Sequence, residues 1–581
     1  MGERRGKFTA RERRVRDATA QGHLLDLSDS GQRDREVPAA LVERLLTDGE
    51  MANQPLKMRG ARITGVLDLE NAHLTRTLEL YNCTFDSPVT LTAARAPAIR
   101  LSGCHVPSLH ADRLTVERDL ELDQGFTAAH IRIVEAHVGG SMSLNGAKLG
   151  GSDQWPVAAY GLTVDRSMWC GSGLTVNGDF VLVNASIGGT LSFTGAHLHS
   201  SEGHALNGQS LTIGRALFLG STLSDSSGFT ASGEVRLTGS RVAAFVCCWG
   251  ARLHNPEGFA LSALGIQVST DLYLDRGFTA AGDIFLDSSS IGGSLHLDGA
   301  TLRGHRSPVL TARHARIEKS LFCRDGFSAN APVDLSGLYV GGSADFTDAR
   351  LDSCPNLALN YVRAQSLVLR PRNSSRSVDV RHAVVDVFED DPQGWPTELL
   401  LMNFTYGHLE NLVDLPAQDR LKWLRRDPTG YKPQPYEQLR AAYRRAGLEK
   451  AARRTAIAKH SHERSATGYA GKMWNWVLYA TVGYGYRPWQ AGVWLIGLLM
   501  AGTYVFAAAY PAEIIPTVAG ETSFHPIAYT ADILVPFLDL SQQSTWQPEG
   551  RAAAWSWGLT AAGWFLTTCV VAGLTRILRR E

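Results

Sequence analysis

The sequence predicts a mainly β fold: a right-handed parallel β-solenoid with coils of about 21–22 residues. Helical caps, an αα-hairpin and two C-terminal transmembrane helices complete the expected architecture. Three observations carry the solenoid. In Leu67-Asp68-Leu69-Glu70-Asn71-Ala72-His73-Leu74 the apolar residues fall at i, i+2, i+5 and i+7. Spacings of two call for extended chain with alternating faces, which a helix cannot supply. The same template restarts at Leu78, Val89, Ile99, Leu109, Leu120, Ile131 and Met142, in steps of 11, 11, 10, 10, 11, 11 and 11. Two units therefore make one coil, and coils stacked at about 4.8 Å form parallel ladders. Finally, the residue at i+5 is usually small (Ala72, Cys83, Ala94, Cys104, Ala136, Ala147), as a tight inward corner requires.

Composition narrows the function classes. Among 581 residues, Lys+Arg and Asp+Glu balance at 57 each, so no global charge points to nucleic acid. Eight cysteines are scattered without a CxxC pair. Cys83 and Cys104 hold equivalent corners 21 residues apart and read as core fillers in a reducing compartment. The first residues are charged and contain no apolar stretch of the secretory kind.

Residues 1–60 are expected to form a helical cap over the open strand edges of the first coil; a disordered charged arm is the alternative. Thr9 to Glu12 is a possible capping box. Pro38 is expected in the first turn of a second helix, with Leu41, Val42, Leu45 and Leu46 on one face. The solenoid is placed at 61–387. Within it Gly-aromatic/Leu-Thr/Ser recurs at 125, 173, 228, 277 and 326, and Ala-x-Leu ends at Leu149, Leu198, Leu253, Leu302 and Leu351. About five extra residues follow each Ala-x-Leu, so loops should leave one edge at every second coil. That edge is the candidate interaction site: Trp155, His199, Glu202, His204, His254, Glu257, Arg303, His305 and Arg306. A metal or anion site is conceivable there, but no HxxxH-type spacing supports one. Outward strand positions are often acidic (Asp68, Glu70, Asp119, Glu121, Asp123, Asp271, Asp275, Asp283, Asp287). Paired carboxylates on a sheet face serve polysaccharide-cleaving enzymes, yet any solvated solenoid face must be polar.

Residues 388–434 leave the register and are expected to close the solenoid. Residues 435–466 read as a basic helical hairpin broken at Gly447, with Leu439, Tyr443 and Ala452 packing inward. Its Arg440, Arg444, Arg445, Lys450, Arg453 and Arg454, with Lys472 and Arg487 beyond, are candidate contacts to anionic lipid. An interfacial elbow is placed at 467–488. Spans follow at 489–510 and 552–574, each free of charge and long enough for a hydrocarbon core of about 30 Å. Gly497/Ala501 and Ala554/Gly558 would let the spans pack closely. The loop 511–551 holds one basic residue, Arg551, whereas the approach and the tail 575–581 are basic. This places both termini and the solenoid in the cytoplasm, on a multi-pass inner-membrane protein. Thr481 to Gly485 spells a potassium-filter pentapeptide but precedes the first span, where a filter has no place. Tyr529, Ile533, Phe537 and Leu540 mark an amphipathic helix between the spans, expected on the outer surface; a pore half-helix is the alternative.

Several stretches together resemble bacterial membrane-anchored pentapeptide-like β-solenoid proteins, often labelled membrane-associated oxidoreductases. They are Ala61 to Leu69, the Gly125-Phe126-Thr127 class of repeats, Gln434 to Leu439, Gly483 to Trp489 and Leu534 to Leu540. The resemblance implies a redox activity. The residues show no GxGxxG between strand and helix, no CxxC and no haem or iron–sulfur spacing. From the residues, no catalytic group, metal ligand or cofactor is expected. The expected role is a membrane-tethered scaffold offering a rigid surface to a protein partner or a second copy; a redox or carbohydrate-active enzyme and a pore component are the alternatives.

Overall fold

The protein was analysed as a computed structural model, which describes residues 10–47, 54–151, 155–201, 203–222, 228–304, 308–412, 414–466, 489–517 and 523–578. It divides into two units, Met1–Asn411 with Arg426–Pro428, and Leu412–Arg425 with Thr429–Glu581.

The first unit is a parallel β-solenoid of about 15 turns. Each 11-residue template supplies two short strands, so one coil has four sides. We number these faces in chain order. Face 1 stacks Leu67, Val89, Leu109, Ile131 and Val157; face 2 stacks His73, Arg95, Thr115 and His137. Face 3 stacks Leu56, Leu78, Ile99, Leu120 and Met142; face 4 stacks Arg62, Thr84, His105, Thr127 and Lys148. Successive 11-residue units thus fall alternately on faces 1 and 3, as the spacing required. Side chains at i, i+2, i+5 and i+7 point inward: Leu67, Leu69 and Leu74 are 1%, 1% and 0% exposed. At i+4 the backbone enters the left-handed region (Asn71 φ 55°, Asn82 φ 51°, Gly103 φ 67°) and closes a turn, with Ala72 N–H donating to Leu69 O at 3.1 Å. A positive φ at this third turn position is what reverses the chain sharply. The small residue that follows fills the corner.

The paired strands overrun both expected boundaries. At the start Leu25 pairs with Met58 and Glu36 with Arg62. Helix α1 is Ala10–Gln21 and α2 is Ala39–Thr47, with Leu41, Val42, Leu45 and Leu46 buried as the periodicity predicts. Pro38 is not in the first turn of α2, as expected, but ends a strand that pairs with Arg62–Thr64 immediately before it. Thr75 N–H donates to Leu46 O at 2.9 Å, tying the end of α2 to the first coils. At the far end Glu398–Leu400 and Thr405–Leu409 still pair with 377–379 and 384–388, so the coil continues past 387. Leu399 N–H then donates to Arg426 O at 3.0 Å.

The second unit is helical: α3 (Ala417–Trp423), α4 (Pro433–Arg445), α5 (Glu449–Ala466), α6 (Trp489–Ala509), α7 (Pro526–Leu534), α8 (Gln542–Thr545) and α9 (Gly550–Leu578). Helices α4 and α5 form the expected hairpin, turning at Gly447 (φ 72°) and burying Leu439, Tyr443 and Ala452. Among the described residues one helix, α6, is long and apolar enough to cross a membrane, by length and composition. The expected second span, 552–574, lies along α9, which is not returned as such a helix among the described residues. The elbow at 467–488, with Lys472, Arg487 and Thr481 to Gly485, lies outside the described residues.

Two packing expectations are corrected here. The amphipathic stripe splits: Tyr529 and Ile533 are buried between α6 and α9, while Phe537 and Leu540 lie beyond α7 and are exposed. Pro536 ends the helix, so the stripe never lies on one surface. Nor do the pairs Gly497/Ala501 and Ala554/Gly558 face a neighbour; a Cβ on Gly497 or Gly558 would meet nothing within 4 Å. The close approaches are at Gly502, where a Cβ would lie 2.5 Å from Thr530 Cγ2, and at Gly563, where it would lie 2.0 Å from Leu534 O. The glycines therefore make room for the half-helix α7.

Candidate interaction surfaces

The predicted loop edge exists, although its histidines do not converge. On face 4, Leu149, Val176, Leu198, Ala231, Leu253, Ala280, Leu302 and Ala329 stack in order, so every second rung carries an insertion at the same corner. Trp155 is 52% exposed. His199 is exposed at the end of its strand. His204 is held down: its Nδ1 lies 3.8 Å from Asp179 Oδ2 and its Nε2 3.5 Å from Glu234 Oε2. Ser200 Oγ (2.6 Å) and His204 N–H (3.1 Å) both donate to Asp179 Oδ1, and Arg236 grips Glu234 with two bonds. His204 is thus a latch for its own loop. At the third insertion no loop projects, because Arg252–Ser262 straightens into one 11-residue strand with register shifts. His254 and Glu257 are exposed along it, and Arg303 is exposed where its strand ends. Glu202, His305 and Arg306 lie outside the described residues. Among the described residues no group of three or more His, Cys, Asp or Glu could hold a metal ion.

The same edge brings Trp155, which the sequence singled out, together with three residues that it did not: Tyr160, Phe259 and Leu264. Trp155 and Tyr160 flank the face 1 strand Val157–Ala158; Phe259 and Leu264 flank the face 1 residues Leu261 and Ser262. All four are more than a third exposed. Val157 and Leu261 are four rungs apart through Phe180, Leu206 and Val235, which is about 19 Å. The available signal was an apolar residue at an outward position, visible only once the rungs are aligned.

Face 3 carries a column of rings. Phe218 and Phe245 meet edge to face, Trp249 and Tyr273 likewise, and Tyr273 stacks on His296 at 4.7 Å. His296 lies 5.2 Å from Phe322, Arg324 covers Phe322 at 4.2 Å, and Arg276 covers Trp249 at 4.0 Å. Ring faces are spent on neighbours along the column, so the column buttresses the face and is no flat platform for a sugar. Asp275 lies in it one rung beyond Trp249, with 8% exposure; burial pushes its carboxyl up to about 6, against Arg276. Asp298, one rung on, is gripped by Arg324 through two bonds. Burial also pulls His296 down. In the run Arg316 to Lys319, Arg316 binds Glu318 and covers Tyr339, which occupies its charge locally.

On the hairpin, Arg440 is taken by Glu437 (3.3 Å), which Lys459 also reaches (2.7 Å); these cations hold the Glu437 carboxyl below the usual range, Lys459 most. Arg444, Arg445, Lys450, Arg453 and Arg454 are exposed around the Gly447 turn. Cys83, Cys104, Cys170, Cys247, Cys248, Cys323 and Cys354 are free thiols, all buried. Burial pushes Cys247 and Cys354 up to about 11, away from the nucleophilic thiolate.

These features define a class: a parallel β-solenoid followed in the chain by a helical unit in which one helix among the described residues is of membrane length and apolar. In comparisons with known proteins the chain matches no family model, no curated protein and no solved structure.

Proposed function

We propose that the chain is a membrane-tethered scaffold whose solenoid offers a rigid cytoplasmic surface to a protein partner. The observation that carries this is the pairing of Trp155 with Tyr160 and of Phe259 with Leu264, exposed at both margins of face 1. Exposed aromatic anchors on an ordered ladder match the interface core of a binding protein. Membrane lipid is the second partner, through α6 and, in this reading, α9. Trp489, Val493, Trp494, Ile496, Met500 and Tyr504 on α6 are each more than half exposed, a surface that hydrocarbon would cover. The five exposed cations around Gly447 suit an anionic leaflet.

The test places a photoreactive phenylalanine analogue at 155, at 259 and, as control, at 339, in native membranes. One shared protein adduct at 155 and 259, absent at 339, is expected; adducts at none of them, or equally at all three, would sink the proposal. Alkaline carbonate should leave the chain in the membrane pellet.

A second reading, a pore component, is favoured by α7 lying buried between α6 and α9. Reconstituted vesicles would then show ion flux that is lost on deleting 526–541. An oxidoreductase role has no residue set behind it, since the described thiols sit in the core.

A further inference from the structure

The helical unit contains a hollow of about 780 Å³, bounded by α7, α9 and the short antiparallel pair Ile514–Pro516 with Trp546–Pro548. That size lies within the about 300–1,000 Å³ of small-molecule sites. Its origin is in the residues of α9. Ala552, Leu559 and Leu566 bury one stripe of that helix. Ala553, Ser556, Trp557 and Thr560, at spacings of three and four, line the hollow from the adjoining stripe. Alanine, serine and threonine are too short to fill the space that leucines would occupy. The opposite wall is fixed by backbone bonds: Thr517 N–H donates to Thr545 O at 2.8 Å and Glu549 N–H to Glu513 O at 2.9 Å. Tyr529 forms the floor, its ring edge to face with Phe506 at 5.0 Å.

The lining is polar and uncharged. Among the described residues no Asp, Glu, Lys, Arg or His lines the hollow. Two neighbouring carboxylates are spent on backbone. Asp532 accepts from the N–H groups of Leu540 (2.6 Å), Gln542 (3.0 Å) and Gln543 (2.9 Å), and Glu513 accepts Ala552 N–H at 3.0 Å. A charged ligand would thus enter without a counter-ion. One donor is left over. Trp546 is 5% exposed, and its Nε1–H meets no acceptor among the described residues. Its ring is held edge on by Tyr510 (5.7 Å) and Phe524 (5.3 Å), so the N–H cannot swing out to water. A buried donor in this state carries its desolvation penalty until an acceptor arrives. Ser544 Oγ and Thr560 Oγ1 donate to the carbonyls of Ser541 (3.2 Å) and Ser556 (2.9 Å), which leaves their lone pairs to accept. Gln543 and Gln547 are exposed at the rim, each with donor and acceptor on one planar amide.

We propose that this hollow binds an uncharged hexosyl group, one oxygen of which accepts from Trp546 Nε1–H while the amides of Gln543 and Gln547 pair with its hydroxyls. A sugar supplies donors and acceptors together without charge, and its C–H face suits the indole of Trp557, which is 74% exposed. An acyl chain would leave the Trp546 N–H as it stands. The shared chemistry is a neutral glycoside, whose source is a free saccharide or a glycolipid head. The site lies wholly within the helical unit and does not depend on the scaffold reading.

The experiment uses the full-length protein in a polyoxyethylene detergent, which carries no sugar. One arm titrates radiolabelled maltose by equilibrium dialysis. The other measures, by native mass spectrometry, retention of monoglucosyl diacylglycerol from doped micelles against diacylglycerol as control. Two variants are compared: Trp546→Phe, which removes the N–H and keeps a ring, and Ala553→Leu, which fills the hollow without touching a polar group. Saturable maltose binding, or retention of the glucosyl lipid over its control, is expected, weakened at least about tenfold by each variant. Maltose binding identifies a free saccharide, and retention of the lipid alone a glycolipid head; either supports the site. Three results overturn it: no saturable binding in either arm up to about 5 mM, diacylglycerol retained as well as the glucosyl lipid without maltose binding, or binding unchanged in either variant. If Trp546→Phe loses its thermal unfolding transition, Ala553→Leu decides alone.

Discussion

Asp275→Asn should stabilise the middle of the solenoid at neutral pH and do nothing in acid. The carboxyl sits at 8% exposure, and its folded pKa of about 6 stands above the ordinary 3.8. A shift of about two pH units is worth about 3 kcal/mol at 1.36 kcal/mol per unit. That is a ceiling, since screening by water offsets part of the cost, leaving about 1–3 kcal/mol. The sign follows from proton binding. Between pH 4 and 6 the folded chain holds this proton and the unfolded chain releases it, so stability falls as pH rises; above 6 the whole penalty is present. Asparagine removes the charge and keeps the shape, so the gain should be full at pH 7.5 and vanish near pH 4. A coil contacts only its neighbours, so the effect is local. Amide hydrogen exchange of 246–251, 272–276 and 295–299 should slow about 5- to 160-fold at pH 7.5 in the variant, matching that range of free energy. At pH 4 the two proteins should coincide. Equal or faster exchange in the variant at pH 7.5 would refute the reasoning.

Further outcomes follow from the packing. Gly563→Ala should expel α7 from between α6 and α9, because the new Cβ would lie 2.0 Å from Leu534 O; a cysteine placed at Thr530, 0% exposed now, should become labelled by maleimide. Phe193→Ala should cost about 3–5 kcal/mol, because Phe193 bridges Phe180 (5.3 Å) and Phe229 (6.1 Å) inside the coil; limited proteolysis should then cut near 193. The seven buried thiols should resist a thiol reagent in the folded protein and react after denaturation, read by mass shift. His204→Ala should loosen its loop and leave Asp179 and Glu234 without their shared imidazole; faster proteolysis at 199–204, with the rest of the coil unchanged, is the expected result.

How much of this was legible in the sequence depends on where each interaction closes. The four-sided coil closes within one repeat, and Leu67, Leu69 and Leu74 point inward through local spacing and a turn at Asn71. The alternate-rung insertions were legible for the same reason, since Leu149, Leu198, Leu253 and Leu302 keep one phase. Contacts between rungs were not legible, because their partners lie 20 to 40 residues apart and are chosen by side-chain reach. Arg118 bonds Thr77 two coils back, and His204 is fixed by Asp179 and Glu234 from the coils on either side. The edge histidines look like a ligand set as a string of letters, yet the ladder spreads them apart and hands one to a latch. In the helical unit, the small-xxx-small pairs point to span-on-span packing only while the helix between the spans is placed on the outer surface. The third partner, α7, changed which glycines matter: Gly502 and Gly563 are the ones whose missing Cβ it occupies.

The shortened corner at Pro97 and Ala98 joins the two kinds of information. Its 10-residue step is visible in the repeat, and a repeat that drops a residue must leave either a strained rung or a gap. Here Ile99 keeps its place on face 3 between Leu78 and Leu120, so register is preserved and the deficit appears at the corner as a hollow of about 450 Å³ lined by Pro97 and Ala98. In a solenoid a departure from the period accordingly appears as local volume at a corner, while the strands on either side keep their register.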